Sequence, residues 1–295
     1  MITSLQGLSF FLRLSASVID VLGDFMTPFL IAFLAYYVWF VGGIAIGYHR
    51  LISHRSVAGK KLFEYFWVLG GYLAYQGSPI WWAAIHRAHH RYVETELDPH
   101  SPKFGWLHSY IGWVPGYIVN YPPHLKPETQ CKDLYRDKLY VFLEQGGKPS
   151  HAAVLNLLVV VLFHSVMWMA FGWQIGLAGV VATIIAFQVP AILNTCCHIQ
   201  KLGYRVHATE DDSVNVWWLG VFALGEGWHN NHHAFPSSSR AGIGPSEIDF
   251  CWLMIRLGYK LGLVTRANEP QKAAIAGSAN ALENLARVES AVSLD

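Results

Sequence analysis

The stretch "PSHAAVLNLLVVVLFHSVMWMAFGWQIGLAGVVATIIAFQVPAILNTCCHIQ", residues 149–200, contains no Asp, Glu, Lys or Arg. A helix needs roughly 20 apolar residues to cross the hydrocarbon core of a bilayer, so this run is long enough for two crossings. We expect spans at about residues 152–171 and 174–194, joined by a tight turn at Gly172 and Trp173. Two consecutive crossings return the chain to the side of the membrane that it left.

The composition is that of a membrane protein with a substantial aqueous part. Of the 295 residues, 53% are hydrophobic and only 14% are charged. The 12 Trp and 14 Tyr supply amphipathic rings, which favour membrane–water interfaces. The net charge of +1 gives no large field of one sign, so we expect no nucleic-acid partner. The four cysteines form no disulfide framework, which is typical of a reducing compartment.

Two further apolar segments lie before this stretch. Residues 25–48 carry no charged side chain and predict a third span. Residues 5–22 are mostly apolar but include Arg13 and Asp20, and charge inside a span is costly. This segment is therefore either a marginal fourth span or an amphipathic helix on the surface.

Other apolar segments lack the length or continuity of a span. Residues 62–85 and 104–121 are interrupted by Gly and Pro, and each predicts two shorter helices at the membrane interface. Residues 248–263 predict an amphipathic helix lying on the membrane. The predicted fold is an all-α integral membrane protein with three to four transmembrane helices and a helical cap. We expect residues 1–266 to form this unit and residues 267–295 to form a polar tail.

The distribution of positive charge predicts the orientation. Of the 21 Lys and Arg, only Arg13 precedes the span at residues 25–48. The other 20 fall in residues 50–148 or 201–287, which the double crossing places on one side. Because cytoplasmic loops carry an excess of Lys and Arg, we expect this side, and the cap, to be cytoplasmic.

Histidines cluster in the same two regions. The motifs "HRAHH" (residues 86–90) and "HNNHH" (residues 229–233) share the spacing His-x-x-His-His. The stretch "GYHRLISHR" adds His49 and His54 just past the first predicted span, and His198 follows the last one. Such repeated spacing on one side of a membrane is hard to explain as ordinary surface polarity in a chain with 15 histidines.

This spacing suits metal binding. Residues i, i+3 and i+4 share one face of a helix, so each His-x-x-His-His motif could aim three imidazoles at one point. Neutral imidazole is a common ligand of iron, zinc and copper. Nine imidazoles exceed the needs of one ion, so two metals are the economical interpretation. The candidate ligands are His49, His54, His86, His89, His90, His198, His229, His232 and His233.

The remaining histidines are isolated, and we expect them to lie on the surface or to support the ligands: His100, His108, His124, His151, His164 and His207. Four carboxylates, Glu94, Glu96, Asp98 and Glu226, are either acceptors for imidazole N–H groups or ordinary solvated acids. We select Asp98 and Glu226 as the candidate acceptors. Cys196 and Cys197 are interpreted as small packing residues, because imidazoles already satisfy the metals.

These motifs resemble the three histidine boxes of the membrane fatty acid desaturases, especially the delta-9-type branch with its bacterial and cyanobacterial members. The matching stretches are "GYHRLISHRS", "HRAHHRYVETELDPHSP", "EDDSVNVWW" and "GEGWHNNHHAFP". The resemblance covers about residues 26–264. It implies two Fe2+ ions held by the nine histidines in a cytoplasmic cap, on a bacterial inner or thylakoid membrane.

The resemblance also implies roles for three other residues. Asn194, four residues before His198, would hold an iron-bound water; its alternative role is to cap the end of a helix. Gln76 and Trp82 match positions at the kink of the family's acyl tunnel, and an interfacial anchor is the alternative for such a ring.

The implied activity is O2-dependent insertion of a double bond into a fatty acyl chain. An unactivated C–H bond needs an oxidising metal centre, while the protein supplies orientation. Two electrons would come from a separate ferredoxin or small cytochrome, since the sequence has no His-Pro-Gly-Gly haem motif. The acyl chain could be linked to a lipid, to acyl carrier protein or to CoA. A related hydroxylase, acetylenase or terminal desaturase is the alternative; a membrane metal transporter, whose ligands would lie near the bilayer midplane, is a remote one.

Three departures from the family pattern stand out. The segment before the span at residues 25–48 is short and charged. The pair Ala84-Ile85 stands where animal acyl-CoA members have Arg-Asp, which argues against CoA as the carrier. Tyr110 stands where the family usually has a His, and His108 lies two places earlier.

Overall fold

The computed structural model describes the backbone of residues 26–292 and the side chains of residues 26–283. Its elements are mostly helices, and three of them are long and apolar enough to cross a membrane: α1 (Met26–Ser53), α7 (Pro149–Phe171) and α8 (Trp173–Cys196). The predicted all-α architecture with three long apolar helices is therefore confirmed. The predicted segment at residues 5–22 lies outside the described residues.

A single glycine joins the last two of these helices. Gly172 ends α7 and precedes α8, with φ of 93°, a conformation that costs glycine little because it has no Cβ. The predicted turn is therefore one residue long, and each helix extends a few residues beyond its predicted span.

Shorter helices, which come before and after this hairpin in the sequence, make up the cap. Those before it are α2 (Lys61–Leu73), α3 (Pro79–Tyr92), α4 (Val114–Val119), α5 (Pro127–Gln130) and α6 (Lys138–Leu143). Those after it are α9 (Trp217–Phe222), α10 (His229–Ala234), α11 (Phe250–Lys260) and α12 (Lys272–Val292). Single turns of 3-10 or π helix lie at Pro102–Phe104, His108–Gly112, Leu134–Arg136 and Gln200–Leu202.

The predicted interruptions coincide with real breaks in the helices. The chain bends between α2 and α3, where Tyr75 and Gly77 have positive φ. Helix α11 is amphipathic as predicted: Cys251 and Ile255 are buried, whereas Leu257 is exposed. Such an exposed apolar face suits the membrane interface.

Two short strands tie the first half of the cap to the second. Strand β1 (Val57–Gly59) pairs antiparallel with β2 (Val264–Ala267), and the register places Ala58 opposite Arg266. Strand β2 crosses the predicted boundary between residues 266 and 267. The pair brings the segment after α11 back to the end of α1, where the first histidines lie.

Candidate metal centre

Helix α3 carries the first His-x-x-His-His motif. Its start is fixed by Ser78, whose Oγ accepts a hydrogen bond from Trp81 N at 3.0 Å, and by Pro79 in the first turn. His86, His89 and His90 follow on the last turns of the helix, so the cap residue sets where all three imidazoles point.

Helix α10 carries the second motif, and the two asparagines between its histidines anchor it. Asn230 Oδ1 accepts hydrogen bonds from Val206 N and His207 N, both at 2.9 Å. Asn231 Nδ2 donates to Glu247 Oε2 at 2.7 Å. A helix of six residues is too short to be stable by itself, so these buried amides hold its orientation.

The other three histidines come from the ends of the long helices. His49 lies in the last part of α1, where Gly43–Ser53 winds as a π-helix, and His54 caps that helix. π-Helical turns are rare and often mark functional sites. His198 lies two residues beyond the end of α8 and is buried.

The nine histidines form two groups. In each group the candidate ligand atoms lie within 4.8 Å of one another. The first, the five-histidine group, is His49, His54, His86, His90 and His232; the second, the four-histidine group, is His89, His198, His229 and His233.

Each motif therefore serves both groups, although we expected each to aim at one point. With about 100° per residue, positions i and i+4 differ by only about 40°, whereas i+3 lies about 60° to the other side of i. In α3, His86 and His90 join the five-histidine group and His89 the other. In α10, His229 and His233 join the four-histidine group, and His232 joins the five-histidine group.

The ring nitrogens face one another inside the groups at short range. His54 Nε2 lies 2.7 Å from His86 Nε2, and His232 Nε2 lies 3.0 Å from His49 Nε2. His198 Nε2 is buried without a hydrogen-bond partner among the described residues. Convergent lone pairs of this kind, with a buried nitrogen left unpaired, fit metal ions bound by neutral imidazole.

In four of these histidines, the second ring nitrogen, Nδ1, faces a carboxylate. His89 Nδ1 lies 3.0 Å from Asp98 Oδ1, and His198 Nδ1 lies 3.0 Å from Glu94 Oε1. The other two pairs are His233 with Asp211, at 2.7 Å, and His49 with Glu226. A carboxylate on Nδ1 fixes the tautomer that leaves the Nε2 lone pair free for a metal.

The structure thus brings both selected carboxylates, Asp98 and Glu226, and also Glu94, to imidazoles. Glu96 is exposed and touches no imidazole. Sequence reasoning missed Asp211; its only signal was its place in the acidic stretch "EDDS", 22 residues before His233. It also missed Arg50, which is 2% exposed and donates from Nε and NH2 to Glu226 Oε1 at 3.1 and 2.7 Å.

The electrostatics of the site favour neutral imidazoles and ionised carboxylates. Burial and neighbouring imidazoles hold the pKa values of His54, His86 and His232 well below the ordinary range, and burial lowers the pKa of His233 to about 4 despite Asp211. Burial would raise the pKa of Glu226, but His49 and Arg50 outweigh it and lower the pKa to about 2. Neutral imidazole is the form that binds metal.

Three of the isolated histidines are more buried than expected. His164, on α7, is 6% exposed, and its Nε2 lies 2.9 Å from Thr183 Oγ1. His100 is 3% exposed, and its ring centroid lies 4.3 Å from that of His89. With Asp98 and His89 it forms a third group of possible ligand atoms. His207 is fully buried beside Asn230.

A largely apolar cavity opens beside the histidine groups. The empty space in and around it amounts to about 960 Å³, including open solvent at its mouth. Its walls come from the bend before α3, from residues 110–118 and from α7 and α8. His86, His100 and Asn194 also line it, so the cavity reaches the five-histidine group.

The residues expected to contact substrate lie in this wall. Gln76 and Trp82 both line the cavity, and the Trp82 ring stacks on His86 with 4.9 Å between centroids. Asn194 also faces the cavity, and its side chain makes no hydrogen bond within the described part of the chain. The helix end is capped instead by the backbone, through Cys197 N and Leu193 O.

The sequence is similar to those of known fatty acid desaturases. The sequence profile of the family described as "Fatty acid desaturase" matches residues 25–245. The chain is 39% identical over 245 residues to the sn-1 stearoyl-lipid 9-desaturase of Anabaena variabilis, covering 82% of this chain and 84% of that protein. It is 37% identical to Delta-9 acyl-lipid desaturase 1 of Arabidopsis thaliana (81% and 75% covered) and 35% identical to the Acyl-CoA C20 Delta5-desaturase of Anemone leveillei (83% and 75% covered).

Proposed function

Because the chain belongs to the fatty acid desaturase family, we propose that its two histidine groups hold two iron ions and that it inserts a double bond into a fatty acyl chain at a delta-9-like position. The observation that carries this proposal is the pair of buried imidazole groups beside an apolar cavity. The nine histidines would be the ligands, and Asn194 would hold a water at the cavity side of the centre.

The chain's own residues would position the substrate and exclude bulk water. The apolar wall would enclose the acyl chain, with Trp82 holding His86 in place by stacking and Gln76 lying at the bend. Asp98 and Glu226 would keep His89 and His49 oriented with Nε2 towards the metals. Bound iron would supply the activation of O2 that breaking an unactivated C–H bond requires.

The reaction balances with an external reductant. Two hydrogens leave neighbouring carbons of the acyl chain as the double bond forms. O2 takes up these hydrogens together with two electrons and two protons, giving two waters. The electrons would come from a ferredoxin or a small cytochrome.

We propose that the cap faces the cytoplasm and that residues 1–266 form the catalytic unit, followed by the polar tail. The charge distribution supports this orientation. Of the 21 Lys and Arg, 20 fall in residues 50–148 or 201–287, the two regions before and after the hairpin, which lie on one side of the membrane if the hairpin crosses it twice. A bacterial inner or thylakoid membrane is the proposed location.

A membrane lipid or an acyl carrier protein is the proposed carrier, rather than CoA. CoA carries several phosphate charges, which Arg or Lys normally recognises. Ala84 and Ile85, where animal acyl-CoA members by resemblance have a charged pair, are neutral and buried. Purified, reduced enzyme should be offered one acyl chain on a glycerolipid, on acyl carrier protein and on CoA. Turnover of the CoA thioester alone would overturn this proposal.

The activity is tested by expressing the chain in a bacterial host and determining the host's acyl chains and their double-bond positions. We expect new delta-9 chains and two irons per purified chain. His89→Ala and His232→Ala should each abolish the product and lower the iron content, whereas His151→Ala, at an exposed position, should do neither. Hydroxylated or acetylenic products would show a related reaction instead, and normal activity of His89→Ala would contradict the ligand assignment.

A further inference from the structure

The two histidine groups differ in the negative charge around them. In the four-histidine group, three of the four imidazoles bear a carboxylate on Nδ1, contributed by Asp98, Glu94 and Asp211. In the five-histidine group, only His49 has one, from Glu226. The difference lies in the fold, because these acids come from the two loops that follow α3 and α8, and the loops meet where Asp212 N donates to Glu94 Oε1 at 2.8 Å.

Positive charge does not close this difference. Arg50 lies against both Glu226 and Asp249, at 2.7 and 3.1 Å, so one buried cation faces two carboxylates and the five-histidine side keeps a single net negative charge. Within the described residues, the one cation within 4 Å of the other three carboxylates is Lys103, whose Nζ lies 3.4 Å from Glu94 Oε2. The side chain of Lys103 is 61% exposed, so solvent screens it. Arg205 donates to Thr209 rather than to Asp211.

We propose that the two metal positions are electrostatically unequal, and that iron in the four-histidine group is oxidised from Fe2+ to Fe3+ at a lower potential than iron in the five-histidine group. The step is a single electron passing from the ion to a soluble redox mediator, which is reduced, and no bond forms or breaks. Three nearby anions stabilise the extra positive charge of Fe3+, most effectively where water is excluded. This inference rests on the proposed function, since it assumes iron in both groups.

The geometry holds each of the three carboxylates beside the four-histidine group. Each one faces the Nδ1 of its imidazole at 2.7–3.0 Å. Each acid also accepts a backbone N–H, which fixes the carboxylate beside its imidazole.

The test is a redox titration of the full-length protein in detergent, loaded with 57Fe and followed by Mössbauer spectroscopy. Counting iron comes first: fewer than two ions per chain would refute the proposed function itself. With two ions bound, we expect two ferrous signals that convert to ferric in two separate steps. A single step for both ions would overturn the inference while leaving the proposed function intact.

Variants assign the steps. Asp211→Asn should raise the potential of the first step and leave the second step in place. We expect a tenfold fall in the ferric-to-ferrous ratio at a given potential, which is a shift of about 59 mV for one electron. Glu226→Gln should move the second step instead. A shift of the second step in Asp211→Asn would overturn the assignment.

Lys103 gives a second test that does not disturb a buried contact. Lys103→Gln should lower the potential of the first step, the opposite sign to Asp211→Asn, whereas Lys103→Arg should leave it unchanged. If Asp211→Asn fails to fold, this pair decides the question. A potential that rises in Lys103→Gln, or that shifts equally in both variants, would overturn the inference.

Discussion

Asn156 Oδ1, in the middle of α7, accepts a hydrogen bond from the backbone N–H of Gly77 at 3.0 Å. The same amide donates from Nδ2 to Tyr72 O at 2.8 Å, so one side chain bridges the bend between α2 and α3. Thr183 of α8 donates to Leu73 O at 3.1 Å. The hairpin thus holds the bend that forms one wall of the apolar cavity.

We predict that Asn156→Ala changes the product. The variant leaves the N–H of Gly77 unpaired in a partly buried place, at a cost of about 1–3 kcal/mol. It also removes one of the hydrogen bonds to the carbonyl of Tyr72, which still accepts from Tyr75 N. The bend should relax, lowering the thermal midpoint in detergent and broadening the double-bond positions found by mass spectrometry. Leu157→Ala, on the exposed side of the same helix, is the control and should leave the positions unchanged. A normal product pattern in Asn156→Ala would show that the bend does not set the cavity wall.

The close approach of α1 to α2 gives a second prediction. A Cβ on Gly43 would lie 2.2 Å from Gly71 N and 2.4 Å from the carbonyl carbon of Gly70, which are backbone atoms that cannot swing away. Gly43→Ala should therefore push the helices apart and destabilise the protein by roughly 1–3 kcal/mol, with loss of iron because His49 follows on the same helix. The measurements are the thermal midpoint in detergent and the iron content.

Gly116→Ala is the matched control, since a Cβ there meets no atom within 4 Å. It should fold and bind iron like the natural chain. Equal behaviour of the two variants would contradict the steric argument.

The local features of the fold were predictable because they depend on short stretches. The charge-free residues 149–200 predicted the α7–α8 hairpin, and Gly and Pro between residues 62 and 85 predicted the break before α3. The helix bounds moved by a few residues, since capping at Pro149 and Gly172 decides them rather than hydropathy. The folded-back strand β2 was not predicted, because its pairing with β1 joins residues about 200 positions apart.

The candidate site was predictable as a set of residue types but not as a geometry. The motif spacing marked the nine histidines, whereas their division into two groups depends on how α3 and α10 are rotated against each other. The pairing of Asp211 with His233 needs the loop after α8 to fold over α10. Arg50 carried one signal, a charged side chain directly beside His49 at the end of an apolar helix.

The proposed topology predicts which sites a membrane-impermeant thiol reagent can reach. In a background with the four cysteines replaced, Trp173→Cys, at the turn between α7 and α8, should be labelled in intact cells. Lys132→Cys, exposed on the cap, should be labelled only after the membrane is permeabilised. The reverse pattern would place the cap on the outer side and contradict the cytoplasmic orientation.

The last prediction concerns Glu144, a carboxylate that is 1% exposed and has no cation within 4 Å among the described residues. It accepts hydrogen bonds from Ser78 Oγ and from Tyr121 Oη, the latter at 2.5 Å, and Ser78 caps the helix that carries the first His-x-x-His-His motif. Burial raises the pKa of Glu144, although the hydrogen bonds from Ser78, Tyr121 and Trp81 N oppose it.

Because the pKa of Glu144 in the folded protein lies above its ordinary value, folding favours the neutral acid. This contribution to the free energy of unfolding is complete below the ordinary pKa and is lost as the pH rises through the raised one. Glu144→Gln stays neutral at every pH, so its advantage in thermal midpoint over the natural chain should grow as the pH rises above the ordinary pKa of a glutamate. Glu96→Gln removes an exposed carboxylate that does not act on Glu144 and should show no such trend. A gap that is constant with pH, or that favours the natural chain at the alkaline end, would mean that Glu144 is ionised and stabilising at the start of α3.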